Sequence, residues 1–279
     1  MRFAFKTAPQ GTTWDAMLEV WRAADDIEVF ESGWTFDHFY PILGEDSSGP
    51  CLEGWITLTA LAQATRRLRL GTLVTGIHYR HPAVLANMAA TLDIVSGGRL
   101  ELGIGAGWNT EESGAYGIEL GSPKERSDRL EEACEVLTGL LGPQERTSFK
   151  GSYYELTDAM CNPKPVQQPH PPICIGGSGE KRTLRTAARF AQHWSFVGGT
   201  LEQFTRARDV LHQHCADIGR DPSEILLSSH VWFTGDPAET AANAAALGEL
   251  GLQLAIVTLQ RPYNAAQLEP LANALAELA

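Results

Sequence analysis

Short apolar or β-branched runs alternate with stretches of helical period almost to the end of the chain. Arg2 to Lys6 reads as a strand and Thr13 to Val29 as a helix, followed by a strand at Gly33 to Phe36 and a helix at Glu53 to Thr65. A strand at Leu68 to Thr75 precedes a helix opening at Pro82, and a strand at Leu100 to Gly105 precedes a helix at Lys124 to Leu141. Pro172 to Ile175, His193 to Val197, Ile225 to Phe233 and Gln253 to Leu259 supply four more strands. Their helices run over Gly179 to Ala191, Leu201 to Ile218, Asp236 to Leu247 and Ala265 to Leu278. Boundary residues support the pattern. Pro82 and Pro237 stand where a first helical turn favours proline, Asp236 can cap, and Gly248 and Gly251 bracket a helix end.

Strand-then-helix units imply parallel strands joined by crossovers, in an open doubly wound sheet or a closed barrel. Eight such units in 279 residues favour one (β/α)8 TIM barrel spanning 1–279, since that fold takes about 250 residues. Two stretches exceed what a barrel loop needs: Trp108 to Pro123 after the fourth strand, and Gly142 to Pro171 before the fifth. The first lies on the face where barrels carry their chemistry, and the second starts from the opposite face.

Composition narrows the function. Hydrophobic residues make up 43% and charged residues 20%, an ordinary globular balance, while the net charge of -12 disfavours a nucleic-acid partner. No apolar run approaches the roughly 20 residues of a membrane span, and Met1 to Gln10 does not read as a signal peptide. Five cysteines without a CxxC pair suggest neither zinc nor a disulfide framework, but reduced thiols in a cytoplasmic protein.

Candidate chemistry sits where strands end. The second strand runs out through Trp34-Thr35-Phe36-Asp37-His38-Phe39. Asp37 and His38 read equally as a proton-transfer pair, given the imidazole pKa of about 6.5, or as hydrogen-bonded loop residues. Past the third strand, His78, Tyr79, Arg80 and His81 crowd one loop, but the histidines lack metal-ligand spacing and a third ligand, so no metal is expected. The fourth strand ends in Gly103-Ile104-Gly105-Ala106-Gly107, where glycines either admit a flat ligand or pack tightly at the rim. The fifth gives Ile175-Gly176-Gly177-Ser178-Gly179 leading into a helix, a turn suited to an anion, with Ser178, Lys181 and Arg182 beside it.

These segments together resemble the luciferase-like monooxygenase superfamily. The runs are Ser32 to Phe39, Gly71 to Gly76 with Arg80-His81-Pro82, Ser96 to Trp108, and Ile175 to Gly179. The resemblance covers nearly the whole chain and is strongest to the F420-dependent oxidoreductase branch. It implies a (β/α)8 barrel, a homodimer, and coenzyme F420 at the C-terminal rim. His38 would handle the proton beside the hydride-bearing carbon, and Asp37 would contact the ring. A non-proline cis peptide at Leu73-Val74 or Val74-Thr75 would press against the ring. Gly105, Ala106 and Gly107 would flank it, and Gly176, Gly177, Ser178, Gly179, Lys181 and Arg182 would hold its phosphate. The alternative is FMN in a reduced-flavin monooxygenase served by a separate reductase. Arg80, Lys181 and Arg182 bear on the choice, because a basic groove would suit the acidic tail of F420. A relative that binds flavin without catalysis is a third reading.

Glucose-6-phosphate dehydrogenases of that branch carry a tryptophan soon after the Asp-His pair and a glutamate after the fourth-strand glycines. This chain has Ile42, then Trp108 and Asn109, with Glu111 or Glu112 as the nearest acid, so a sugar phosphate is not the expected substrate. A small, largely apolar molecule is expected instead, lined by Pro9, Phe39, Ile42, Trp108, Trp232 and the two long loops.

Overall fold

The computed structural model describes residues 1–44 and 46–278. Its strands are β1 (Arg2–Lys6), β2 (Phe30–Thr35), β3 (Arg69–Thr72), β4 (Thr75–Gly76), β5 (Leu100–Gly105), β6 (Thr147–Lys150), β7 (Glu155–Ala159), β8 (Ile173–Gly176), β9 (His193–Phe196), β10 (Leu226–Trp232) and β11 (Leu254–Thr258). Between and after them lie α1 (Trp14–Asp25), α2 (Gly54–Ala64), α3 (Pro82–Ser96), α4 (Thr110–Ala115), α5 (Pro123–Leu141), α6 (Thr183–Phe190), α7 (Leu201–Asp217), α8 (Pro237–Gly248) and α9 (Leu268–Ala276). The parallel strands run in the order β3-β2-β1-β11-β10-β9-β8-β5-β4, and β3 also pairs with β5, so the sheet closes. With β3 and β4 sharing one position, this is a (β/α)8 barrel, as the alternation implies.

Helix ends follow the boundary residues. Asp236 accepts hydrogen bonds from the Ala238 and Glu239 amides ahead of α8. Ser122 and Glu125 form a reciprocal capping box at α5, and Gly97 ends α3 with φ of 71°. One expectation fails: the helix set at Gly179 begins only at Thr183, because 180–182 form a turn first. The second long stretch is not an open loop but the antiparallel β6–β7 hairpin, against α5.

Alternation along each strand sorts side chains between two cores. Phe3 and Phe5 pack outward with Trp21 and Phe30, in the layer between barrel and helices. Ala4, Trp34, Leu73, Cys174, Leu254 and Ile256 fill the barrel interior. A polar network also lies there. Glu101 pairs with Arg69 and with His193 Nδ1, each at 2.8 Å, and His193 Nε2 lies 2.6 Å from Ser228 Oγ. This serine–histidine–glutamate order resembles a nucleophile relay, but Ser228 is fully buried, so the network ties strands together instead. A buried carboxylate needs such partners.

Candidate active site

The chain leaves β2 with Asp37 and His38 at the C-terminal rim, and the structure sends them in different directions. Asp37 is fully buried and takes a bidentate grip from Arg80, at 2.5 and 3.1 Å. Arg80 also donates to Glu53 Oε1 at 2.6 Å. Asp37 therefore holds the loop rather than facing the cavity, and Arg80 is matched by two carboxylates. His38 keeps 8% of its surface exposed and lines a cavity of about 390 Å³.

Glu112, in α4, supplies the acid; Glu111 is exposed. Its Oε2 lies 2.8 Å from His38 Nδ1 and accepts from the Tyr79 hydroxyl, while Oε1 accepts from the Phe39 amide at 2.5 Å. Burial pushes the Glu112 carboxyl up, but these hydrogen bonds outweigh it and hold the pKa below the ordinary value. Burial and the neighbouring Glu112 hold Tyr79 in its protonated, donating form. An ionised carboxylate only accepts, so His38 Nδ1 carries its proton and Nε2 is left as the nitrogen for a ligand. Asn109 caps α4 by accepting from the Glu112 amide at 3.1 Å, which fixes the acid in place.

The expected cis peptide is at Leu73-Val74. Both residues line the cavity, and the Val74 side chain fills the space left by glycines on β5 and β8. A Cβ added at Gly105 would lie 2.8 Å from Val74 Cγ2, and one at Gly176 would lie 2.9 Å from Val74 Cγ1. So the side chain packed against both glycines is that of Val74. Gly107 differs: its φ is 84°, a left-handed conformation that favours glycine. Thr75 is fully buried, its hydroxyl bonded to Trp55 Nε1 and Thr72 at 2.9 Å, and it does not reach the cavity.

Gly105, Ala106, Gly107, Gly176 and Gly177 line the cavity, as do Ile42, Trp108 and Trp232. Pro9 and Phe39 do not; Phe39 turns instead to the Tyr79 and Tyr116 rings, 4.9 Å away. Of the two long stretches, only the first contributes. Lys6, Thr183, Ser195 and His230 also face the cavity, and were missed. The strand-end rule, applied to β1, points to Lys6.

The glycine-rich turn lies beyond this wall. Ser178 borders a separate hollow shared with Glu180, Gln203 and Arg206. The Ser178 and Gly179 amides have no acceptor among the described residues, and Lys181 is exposed. Arg182 is committed elsewhere, to Asp128 at 2.5 Å and Glu131 at 3.4 Å. His78 and His81 also separate. His81 Nδ1 caps α3, accepting from the Ala83 amide, while His78 Nε2 meets Ser113 Oγ at 3.1 Å. Burial lowers the His78 pKa to about 4.

Comparison with known proteins identifies the family. A family model for luciferase-like monooxygenase matches residues 1–279. The F420-dependent hydroxymycolic acid dehydrogenase of Mycobacterium tuberculosis is 32% identical over 227 residues, 78% of this chain and 59% of that protein. The F420-dependent glucose-6-phosphate dehydrogenase of Amycolatopsis mediterranei is 36% identical over 148 residues, 53% of this chain and 44% of that protein. The chain spans about half the length of the curated relatives it matches. An F420-dependent secondary alcohol dehydrogenase, solved with an F420-acetone adduct, superposes with a TM-score of 0.90 at 20% identity, covering 100% of this chain and 99% of that one.

Proposed function

The chain belongs to the luciferase-like monooxygenase family, and on that premise we propose that it is an F420-dependent oxidoreductase acting on a small organic substrate. The observation that carries this reading is His38, backed through Nδ1 by buried Glu112 and lining the cavity beside the Leu73-Val74 shelf. Family relatives named as F420-dependent support the choice of cofactor.

The residues suit a flat ring. Leu73, Val74 and Ala106 offer an apolar shelf, Trp108 and Trp232 line the same cavity, and the buried Ser195 hydroxyl has no partner among the described residues. A cavity of this size is in the range of small-molecule sites. Bound F420 supplies a carbon that gives or takes a hydride. His38 then holds or receives the accompanying proton at Nε2, Glu112 fixes its tautomer, and the cavity wall excludes water. The Ser178 and Gly179 amides, with Lys181, would take the cofactor phosphate.

One observation favours the reduced-FMN monooxygenase as a second reading. Arg80 and Arg182, expected to meet the acidic tail of F420, are both paired with carboxylates. We propose also that the protein is a homodimer. An apolar groove between α2 and α3, lined by Trp55, Ile56, Ala60, Met88 and Leu92, supports this, with Ile56 74% exposed. A cytoplasmic setting is proposed from five free thiols. No helix among the described residues is long and apolar enough to cross a membrane.

Paired titrations with F420 and FMN, read by ring-fluorescence quenching, test the reading. Micromolar or tighter F420 binding with much weaker FMN binding is expected; the reverse order, with oxygen-dependent turnover, moves the protein to the monooxygenases. His38→Ala should bind F420 almost unchanged and lose most turnover.

A further inference from the structure

Lys6 ends β1 with its side chain inside the barrel mouth, where β1 and β11 pair Lys6 with Thr258 and β10 and β11 pair Trp232 with Thr258. Among the described residues its Nζ has one partner, the Leu73 carbonyl at 3.4 Å. The residue lines two adjoining spaces. One is the cavity of His38 and Val74; the other, about 680 Å³, lies toward the ends of β1 and β11. Phe36, Ile42, Leu43 and Trp232 border both, so the two adjoin at Lys6. Among the described residues no aspartate or glutamate lines either space, in a chain of net charge -12.

A half-buried ammonium with no carboxylate among the described residues beside it carries a desolvation cost, and a bound anion would relieve it. Arg261 also lines the second space, but its guanidinium donates to the Gln10 carbonyl at 3.0 Å, whereas Lys6 lines both spaces. His230 Nδ1 is bonded to Thr258 Oγ1 at 3.1 Å, and burial with the nearby Lys6 charge keeps its ring neutral. The Ser195 hydroxyl, buried at the first cavity, has no partner among the described residues. Burial lowers the Lys6 pKa to about 8, which leaves the ammonium protonated at neutral pH.

We propose that the second space is the substrate chamber and that Lys6 is the counterion of a substrate carboxylate, so that the enzyme acts on organic acids with an apolar body. Phe36, Ile42, Trp232, Phe233 and Leu259 would take that body. This goes beyond the largely apolar substrate expected from sequence. It rests on the oxidoreductase reading only in calling the occupant the substrate.

The test is calorimetric titration of phenylacetate and its neutral analogue phenylacetamide into the full chain, with and without F420. Wild-type protein should bind the acid about ten- to a hundredfold more tightly than the amide. Lys6→Met should abolish that preference, and Lys6→Arg should retain most of it. Equal binding of acid and amide to wild-type protein overturns the proposal, as does a preference that survives in Lys6→Met. A parallel fall in F420 affinity in Lys6→Met overturns it too, since Lys6 would then belong to the cofactor. If wild-type protein fails to bind F420, the oxidoreductase reading falls, and the acid-against-amide comparison still decides Lys6.

Discussion

Replacing Glu112 by glutamine changes no volume but reverses one hydrogen bond. The carboxylate now accepts from His38 Nδ1 at 2.8 Å, from the Phe39 amide at 2.5 Å, and from the Tyr79 hydroxyl. A glutamine amide oxygen can keep the Phe39 bond, and the Tyr79 hydroxyl can turn to accept. The amide nitrogen then faces His38 Nδ1 and forces it to become the acceptor, moving the proton to Nε2, on the cavity side. The working nitrogen changes from proton acceptor to donor. Losing a hydrogen bond to a charged group costs about 1.5–3 kcal/mol, which at about 1.4 kcal/mol per decade is roughly a ten- to hundredfold loss of rate. The loss should be greater for substrate oxidation, where His38 accepts a proton. Two assays check this: single-turnover hydride transfer with cofactor pre-bound, and ¹⁵N spectra of the His38 ring, which distinguish the tautomers. F420 affinity should stay within a few-fold. A wild-type rate in Glu112→Gln, with the His38 proton already on Nε2 in the native enzyme, would refute the reasoning.

Other consequences are as direct. Gly176→Ala places a Cβ 2.9 Å from Val74 Cγ1, so denaturant unfolding should show a loss of about 1–3 kcal/mol, and cofactor affinity should fall as the shelf shifts. Burial pushes the Glu101 carboxyl up, but His193 and Arg69 outweigh it and bring the pKa from 4.5 down to about 2. The folded-state value is the lower one, so the stability Glu101 contributes is complete above pH 4.5 and lost as the pH falls from there toward 2. Urea midpoints against pH should show that acid-side slope in wild-type protein and less of it in Glu101→Gln. Cys51 is only partly buried, yet burial and nearby carboxylates push its thiol up to about 12, so iodoacetamide should label it far more slowly in the folded chain than in urea.

Much of the barrel was legible in the chain because its signals are local. Strands buried on both faces read as apolar runs, and Pro82 and Asp236-Pro237 mark helix starts by local chemistry that needs no distant partner. A strand end likewise located His38, and the family resemblance located Leu73 and Val74; all three line the cavity. Pairing across the ring was not legible. Nothing in the run Asp37-His38 says that the acid turns to Arg80 and the imidazole to Glu112, or that Glu112 rather than Glu111 faces inward. The glycines of the fourth and fifth units were visible, but that Val74 occupies the space they leave depends on how β5 and β8 lie against it. Arg182 looked available until α5 brought Asp128 against it, and Lys6 looked like a strand end until β10 and β11 enclosed it. Periodicity and capping are properties of neighbours along the chain. The partner of a charged side chain is set by register and barrel closure, which join residues dozens to hundreds of positions apart, and only the tertiary structure decides that.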